Sequence, residues 1–245
     1  MFTVSHLHQH LSIPVIAKLR VFPSLSRTLD YATHVYHSGA QLLTIHGRVR
    51  EAKGRLAGFA SWSKIAAVTT LLQSKVPILA NGGVPSAREV QPCLDATGSD
   101  GIMSAEGNLY NPMIFRPANP AGCREYLRCL PIEMRDALLR CDDQFLPLER
   151  SEWDNDAAHY APSTWLAAQY LAIVRTLPST RTAPSAIKAH LFKLFRPTWA
   201  AGRHLEMREM LGKAGSAKNL NAGDKVQAYE DFVEAMLQRY KVSRT

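Results

Sequence analysis

Four short, unbroken apolar runs divide the first half of this 245-residue chain at intervals of roughly 24 to 36 residues, and no other feature restricts its fold so tightly. They are Val15-Ile16-Ala17, Leu42-Leu43-Thr44-Ile45, Val76 to Ala80 and Gly101-Ile102-Met103. Each is too short for a helix and gives way to turn residues, as strands do. The stretches between them carry helical spacing. Ser26 to Tyr36 stops at Gly39, Ser63 to Leu72 forms a second, and the capping-box string Ser86-Ala87-Arg88-Glu89 opens a third toward Leu94. Asn111-Pro112 offers the start of a fourth, with Asn as cap and Pro in the first turn. Strands separated by helices run parallel, because a parallel connection needs a crossover. Runs that are apolar throughout, rather than alternating, predict a sheet covered on both faces. Four such units are too few to close an eight-stranded barrel, so the first half reads as a small open sheet or as part of a barrel.

Beyond about residue 130 no further strand is expected. Ser163 to Leu177, Ser185 to Phe195, Arg203 to Leu211 and Lys225 to Tyr240 read as helices, punctuated by Pro178, Pro184, Pro197 and Gly215. The expected organisation is therefore an α/β domain over 1–130 and an all-α helical domain over 131–245. The net charge of +8 is unevenly spread: residues 131–164 hold 3 basic and 8 acidic residues, and residues 175–218 hold 9 and 2. A basic block of that kind suits a polyanion, whose phosphates it neutralises with release of counterions. No apolar stretch approaches the length of about 18 residues that a membrane span needs. The start, MFTVSHLHQHLS, lacks the pattern of a signal peptide. Cys93, Cys123, Cys129 and Cys141 show no metal-ligand spacing, so free thiols in a reducing compartment and no metal are expected.

The ends of the strands hold the chemistry. The first ends in Lys18-Leu19-Arg20, the second in His46-Gly47-Arg48, the third in Asn81-Gly82-Gly83 and the fourth in Ser104-Ala105-Glu106-Gly107. In a parallel βα array these ends share one face, and ligands bind there. Lys18, His46 and Asn81 would converge on one pocket. The glycines would let backbone N–H groups approach an anion, with helix N-termini near Ser86 and Asn111 behind them.

The strings LLTIHGRVREAKG, PILANGGV and DGIMSAEGNLYNPMIF resemble the tRNA-dihydrouridine synthases, and among them the eukaryotic subfamily acting at D-loop positions 16/17. The likeness is dense from about Val4 to Phe115 and recognisable through the helical tail. It implies the last four strands of an FMN-binding TIM (β/α)8 barrel followed by a helical tRNA-binding domain. It further implies that Lys18 lies beside the flavin pyrimidine ring, that His46 touches the flavin, and that Asn81, Gly82 and Gly83 bind its phosphate. Ala105 and Glu106 stand in the second phosphate loop, where many members have Gly-Arg. A carboxylate there repels a phosphate by about 1 kcal/mol or more, so that loop must act through its backbone with Glu106 turned away. Arg48, Arg50, Lys53 and Arg55 become a basic loop at the pocket mouth, where RNA must pass once its uridine is extruded from the stack.

The implied reaction is reduction of the uridine C5–C6 double bond in tRNA, with FMN as hydride carrier, NADPH or NADH as reductant and a cysteine as general acid. In the family that cysteine sits in an Asn-x-Gly-Cys-Pro loop, and no such string occurs in this sequence. The expectation is a truncated chain without its catalytic cysteine, in a cytoplasmic or nuclear setting. A non-catalytic tRNA-binding fragment is the alternative. A phosphate-binding barrel enzyme of small-molecule metabolism would share the glycine loops but leaves the basic loop and basic tail unexplained.

Overall fold

The computed structural model describes residues 2–52, 57–115, 131–133, 136, 163–178, 180, 183–200, 202, 204–216 and 220–242. The expected boundary near residue 130 lies outside the described residues. The chain divides into two compact units, Met1–Gly107 and Asn108–Thr245.

In the first unit the four runs form strands β1 (Ile16–Arg20), β2 (Leu42–His46), β3 (Ile78–Asn81) and β4 (Gly101–Met103). All pair in parallel, in the order β1-β2-β3-β4. Between them lie α2 (Leu25–His37), α3 (Trp62–Leu72) and a 3-10 turn (Ala87–Glu89) running into α4 (Val90–Thr97). Two of these helices start one residue earlier than their spacing suggested, because Ser24 and Ser61 are the caps: each side chain accepts a backbone N–H, from Arg27 and Lys64. The Ser86 capping box forms as read, with the Glu89 carboxylate accepting the Ser86 N–H at 2.9 Å. Helices bury Ala32, Val35, Ile65, Val68, Leu72 and Cys93 against Leu43, Ile45, Ile78 and Ala80, most of them fully.

The expectation of a sheet covered on both faces does not hold for β1. It alternates, with Ala17 and Leu19 buried while Ile16 is 62% exposed and Lys18 faces solvent. Ile16 and Lys18 lie on the same face as Arg20, the face on which the cavity opens, while Ala17 and Leu19 point to the buried side. A nine-residue helix, α1 (Phe2–His10), precedes the sheet and buries none of its residues. No apolar periodicity announces it. Asn111-Pro112 does not open a helix within the described residues. The short α5 (Glu106–Tyr110) comes before it, and Asn111 Oδ1 accepts the Met113 N–H in a turn.

In the second unit the remaining described elements are α6 (Ser163–Arg175), α7 (Ala183–Leu194), α8 (Arg196–Ala200), α9 (Leu205–Lys213) and α10 (Ala222–Val242). Pro184 and Pro197, read as punctuation, sit in first turns, where the missing N–H costs nothing. The helices enclose one core that includes Trp165, Leu171, Leu191, Phe195, Leu211, Phe232 and Met236. Lys188 Nζ donates to the carbonyls of Gly212 and Ala214, filling orphan acceptors at the end of α9. No described helix is long and apolar enough to cross a membrane.

Candidate functional site

The parallel register aligns the last residues of the strands. Arg20 pairs with His46, His46 with Asn81, and Asn81 with Met103. Partners in register point the same way from the sheet, and side chains repeat with period two, so Lys18 and Arg20 share the face of His46 and Asn81. A cavity of about 800 Å³ opens at this end, lined by Lys18, Arg20, His46, Arg48, Asn81, Gly82, Gly83, Ala105 and Glu106 together with Phe59, Trp62 and Glu89. Seven of the residues expected at a cofactor site are thus brought to one cavity.

The loops behind these residues are tied to each other. The Gly47 N–H donates to the Asn81 carbonyl at 3.1 Å, and the Ser61 N–H donates to the Gly47 carbonyl at 2.7 Å. Asn81 Nδ2 donates to the Met103 carbonyl at 2.7 Å, and Ser104 Oγ to the Val84 carbonyl at 2.8 Å. Trp62 Nε1 donates to the Gly82 carbonyl at 3.0 Å. Gly82 and Gly83 hold φ of +98° and +79°, and a Cβ on either would stand 2.8 Å from His46 Cδ2 or 3.0 Å from Trp62 Nε1. The floor of the cavity at this turn therefore has to be bare backbone.

Three cations surround that floor. Arg20 donates to the Val49 carbonyl at 2.8 Å, and Arg48 Nε to the Gly58 carbonyl at 3.0 Å, so both guanidiniums hold loops while bordering the cavity. Burial, then the nearby Arg20, pulls the Lys18 ammonium below its usual pKa. His46 is pushed down to about 4, first by burial and then by Arg20, Lys18 and Arg48. A neutral imidazole follows at physiological pH, with Nε2 at 3.4 Å from an Arg48 N–H group. Of the two carboxylates present, Glu89 is engaged with Ser86.

An NMR titration of the ring protons should give His46 a midpoint near 4, far below an ordinary histidine. The unfolded chain takes up this proton first as the pH falls, so His46 lowers stability between about 6.5 and about 4 and adds nothing further below that. Saturating inorganic phosphate should raise the midpoint, because an anion offsets the three cations. A midpoint near 6.5 without phosphate would contradict this electrostatic account.

Arg50 is exposed and does not line the cavity; Lys53 and Arg55 lie outside the described residues. Cys93 is fully buried in α4, with its thiol pKa raised by burial, and takes no part in the cavity. Cys123, Cys129 and Cys141 lie outside the described residues. Among the described residues no cluster of His, Cys, Asp and Glu is placed to hold a metal. Sequence reading missed Arg20 as a site residue, although its period-two relation to Lys18 placed it on the same face. It also missed Trp62, whose indole fixes the glycine turn through a contact no local signal announces.

The basic block of the second unit divides by task. Arg175 is paired with Glu230 at 2.6 Å, and Lys188 is tied to backbone carbonyls. Lys193 and Arg196 stand over the ring of Tyr110, and with Arg208, Phe192 and Trp199 they border a cavity of about 400 Å³.

Comparison with known proteins matches residues 2–132 to the family described as Dihydrouridine synthase (Dus). The chain is 36% identical over 212 residues to the tRNA-dihydrouridine(16/17) synthase [NAD(P)(+)] of Schizosaccharomyces pombe, covering 86% of this chain and 44% of that protein. It is 35% identical to the tRNA-dihydrouridine(16/17) synthase [NAD(P)(+)]-like protein of Mus musculus, covering 88% and 35%. The corresponding Saccharomyces cerevisiae protein is 32% identical, covering 79% and 38%. The chain thus spans less than half the length of these relatives.

Proposed function

From the premise that the chain belongs to the dihydrouridine synthase family, we propose that its sheet is the C-terminal half of a flavin-binding TIM barrel and that its helical unit binds tRNA. The consecutive order β1-β2-β3-β4 supports this, since a sheet wound in one direction is how barrel strands follow one another. The activity it serves is reduction of uridine to dihydrouridine in the tRNA D-loop at positions 16/17, with FMN as cofactor and NADPH or NADH as reductant.

The observation that carries this reading is the cavity. It falls within the range of about 300–1,000 Å³ typical of cofactor sites, it has a floor that tolerates no side chain, and its walls are cationic. Those properties fit a flat, anionic, phosphate-bearing group. Gly82 and Gly83 would hold the phosphate through backbone N–H groups, with Ala105 and Glu106 lending backbone only. Asn81 and His46 would orient the cofactor, and Lys18 would supply positive charge. The flavin, when bound, supplies hydride transfer. Arg48 and Arg50, with Lys53 and Arg55, would meet the RNA backbone. None of the described cavity residues is a cysteine, so the proton for uridine C5 is not assigned to a described group.

The test is the visible absorption of the purified chain after incubation with FMN and desalting. Retained flavin, with affinity reduced about tenfold by Lys18→Met as one charge-assisted contact is lost, supports the reading. A colourless chain that binds tRNA with steep salt dependence would overturn it in favour of a non-catalytic tRNA-binding fragment.

A further inference from the structure

Phe59 is 102% exposed, the most exposed large apolar residue described in the molecule. A single exposed phenylalanine is ordinarily unremarkable, but this one sits on the rim of the cationic cavity. The segment carrying it is anchored on both sides. Before it, Gly58 holds φ of +60° and its carbonyl accepts from Arg48 Nε at 3.0 Å. After it, the Ala60 methyl lies close under the glycine turn, 3.2 Å from where a Gly82 Cβ would be, and the Ser61 N–H donates to the Gly47 carbonyl. The main chain is thus fastened to the strand ends while the ring is left in water.

We propose that Phe59 is a stacking platform for an RNA base next to the nucleotide entering the cavity, with Arg48 beside it to meet the phosphate. An aromatic ring flanked by a guanidinium is the combination that receives an unstacked base of single-stranded RNA. The cations of the rim favour a polyanion, and the exposed ring beside them offers that polyanion's unstacked base an apolar face to lie on. The inference rests on the RNA reading above and gives it a specific contact. It requires nothing of the flavin.

The test is a binding cycle using the purified chain and a uridine-containing RNA loop oligonucleotide, with and without an abasic sugar beside the target uridine. Phe59→Ala should weaken binding to the intact loop about tenfold, the scale of one base stacked on one ring. Phe59→Trp should retain wild-type affinity. The abasic loop should bind wild type and Phe59→Ala equally, because the partner base is gone. The ring is fully exposed and makes no core contact, so the variant should fold and melt as the wild type does. Equal binding of the intact loop by wild type and Phe59→Ala would overturn the proposal, as would additive losses from the variant and the abasic site. If the cycle behaves as expected in a chain that never retains flavin, the cofactor reading fails while the stacking contact stands.

Discussion

Gly82→Val is expected to abolish retention of FMN and to destabilise the first unit by about 3 kcal/mol, the upper range for one residue held in a disfavoured backbone conformation. Two effects combine. At φ of +98° a β-branched residue is strained, and its Cβ would meet His46 Cδ2 at 2.8 Å, Nε2 at 3.0 Å and the Ala60 methyl at 3.2 Å. The His46 ring, which lines the cavity, then has to shift from its place, and under the proposed function that disturbs the flavin site. Gly58→Ala separates strain from collision, because Gly58 also holds positive φ, +60°, yet a Cβ there meets nothing within 4 Å. It should cost only about 1–2 kcal/mol, the left-handed penalty alone, and leave flavin binding intact. Thermal unfolding and a flavin titration of both variants decide the matter. If Gly82→Val retains FMN like Gly58→Ala, the bare-backbone account of the cavity floor is wrong.

Phe232→Ala should destabilise the helical unit by about 3–5 kcal/mol, the range for deleting a buried aromatic ring. Phe232 is fully buried and meets Phe195 edge-to-face at 5.2 Å, and Phe195 stacks in turn on Trp199 at 5.8 Å. The hole would open at the centre of a core built by four helices, where no neighbour can collapse without breaking its own packing. Against a typical total of about 5–15 kcal/mol, the loss removes a large share of the stability. The melting transition followed by helical circular dichroism should fall by at least about 10 °C. Phe232→Leu, which keeps most of the volume, should lose less than half as much. A Phe232→Ala melt within about 2 °C of wild type would show that this ring is not central to the unit.

The glycine turn and the helical core were legible in the sequence to very different degrees. The glycine turn could be read directly. Asn81-Gly82-Gly83 follows an apolar run too short to be a helix, and only glycine accepts two successive positive φ values without strain. The helical core was legible as four periodic stretches, but not as a set of partners. Nothing local says that Phe232 meets Phe195, 37 positions earlier by subtraction of their numbers. Caps were ambiguous because Ser24 and Ser26, and Ser61 and Ser63, each offer two hydroxyls in three residues. The side chain that accepts the N–H three residues on is chosen by where the incoming strand leaves the sheet. α1 was invisible because it buries nothing and so needs no apolar stripe.

The sequence by itself determined the βα rhythm, the parallel pairing that rhythm requires, and the polar character of every strand end, because periodicity and turn chemistry are local properties. Tertiary structure alone decided which cations face the cavity and which serve as struts. Arg20 and Arg48 do both, Arg175 and Lys188 are held by partners far along the chain, and Cys93 is sealed in the core. A charge acquires its role from the carbonyls, carboxylates and water it can reach in three dimensions, and those are set by register and helix packing rather than by its neighbours in sequence.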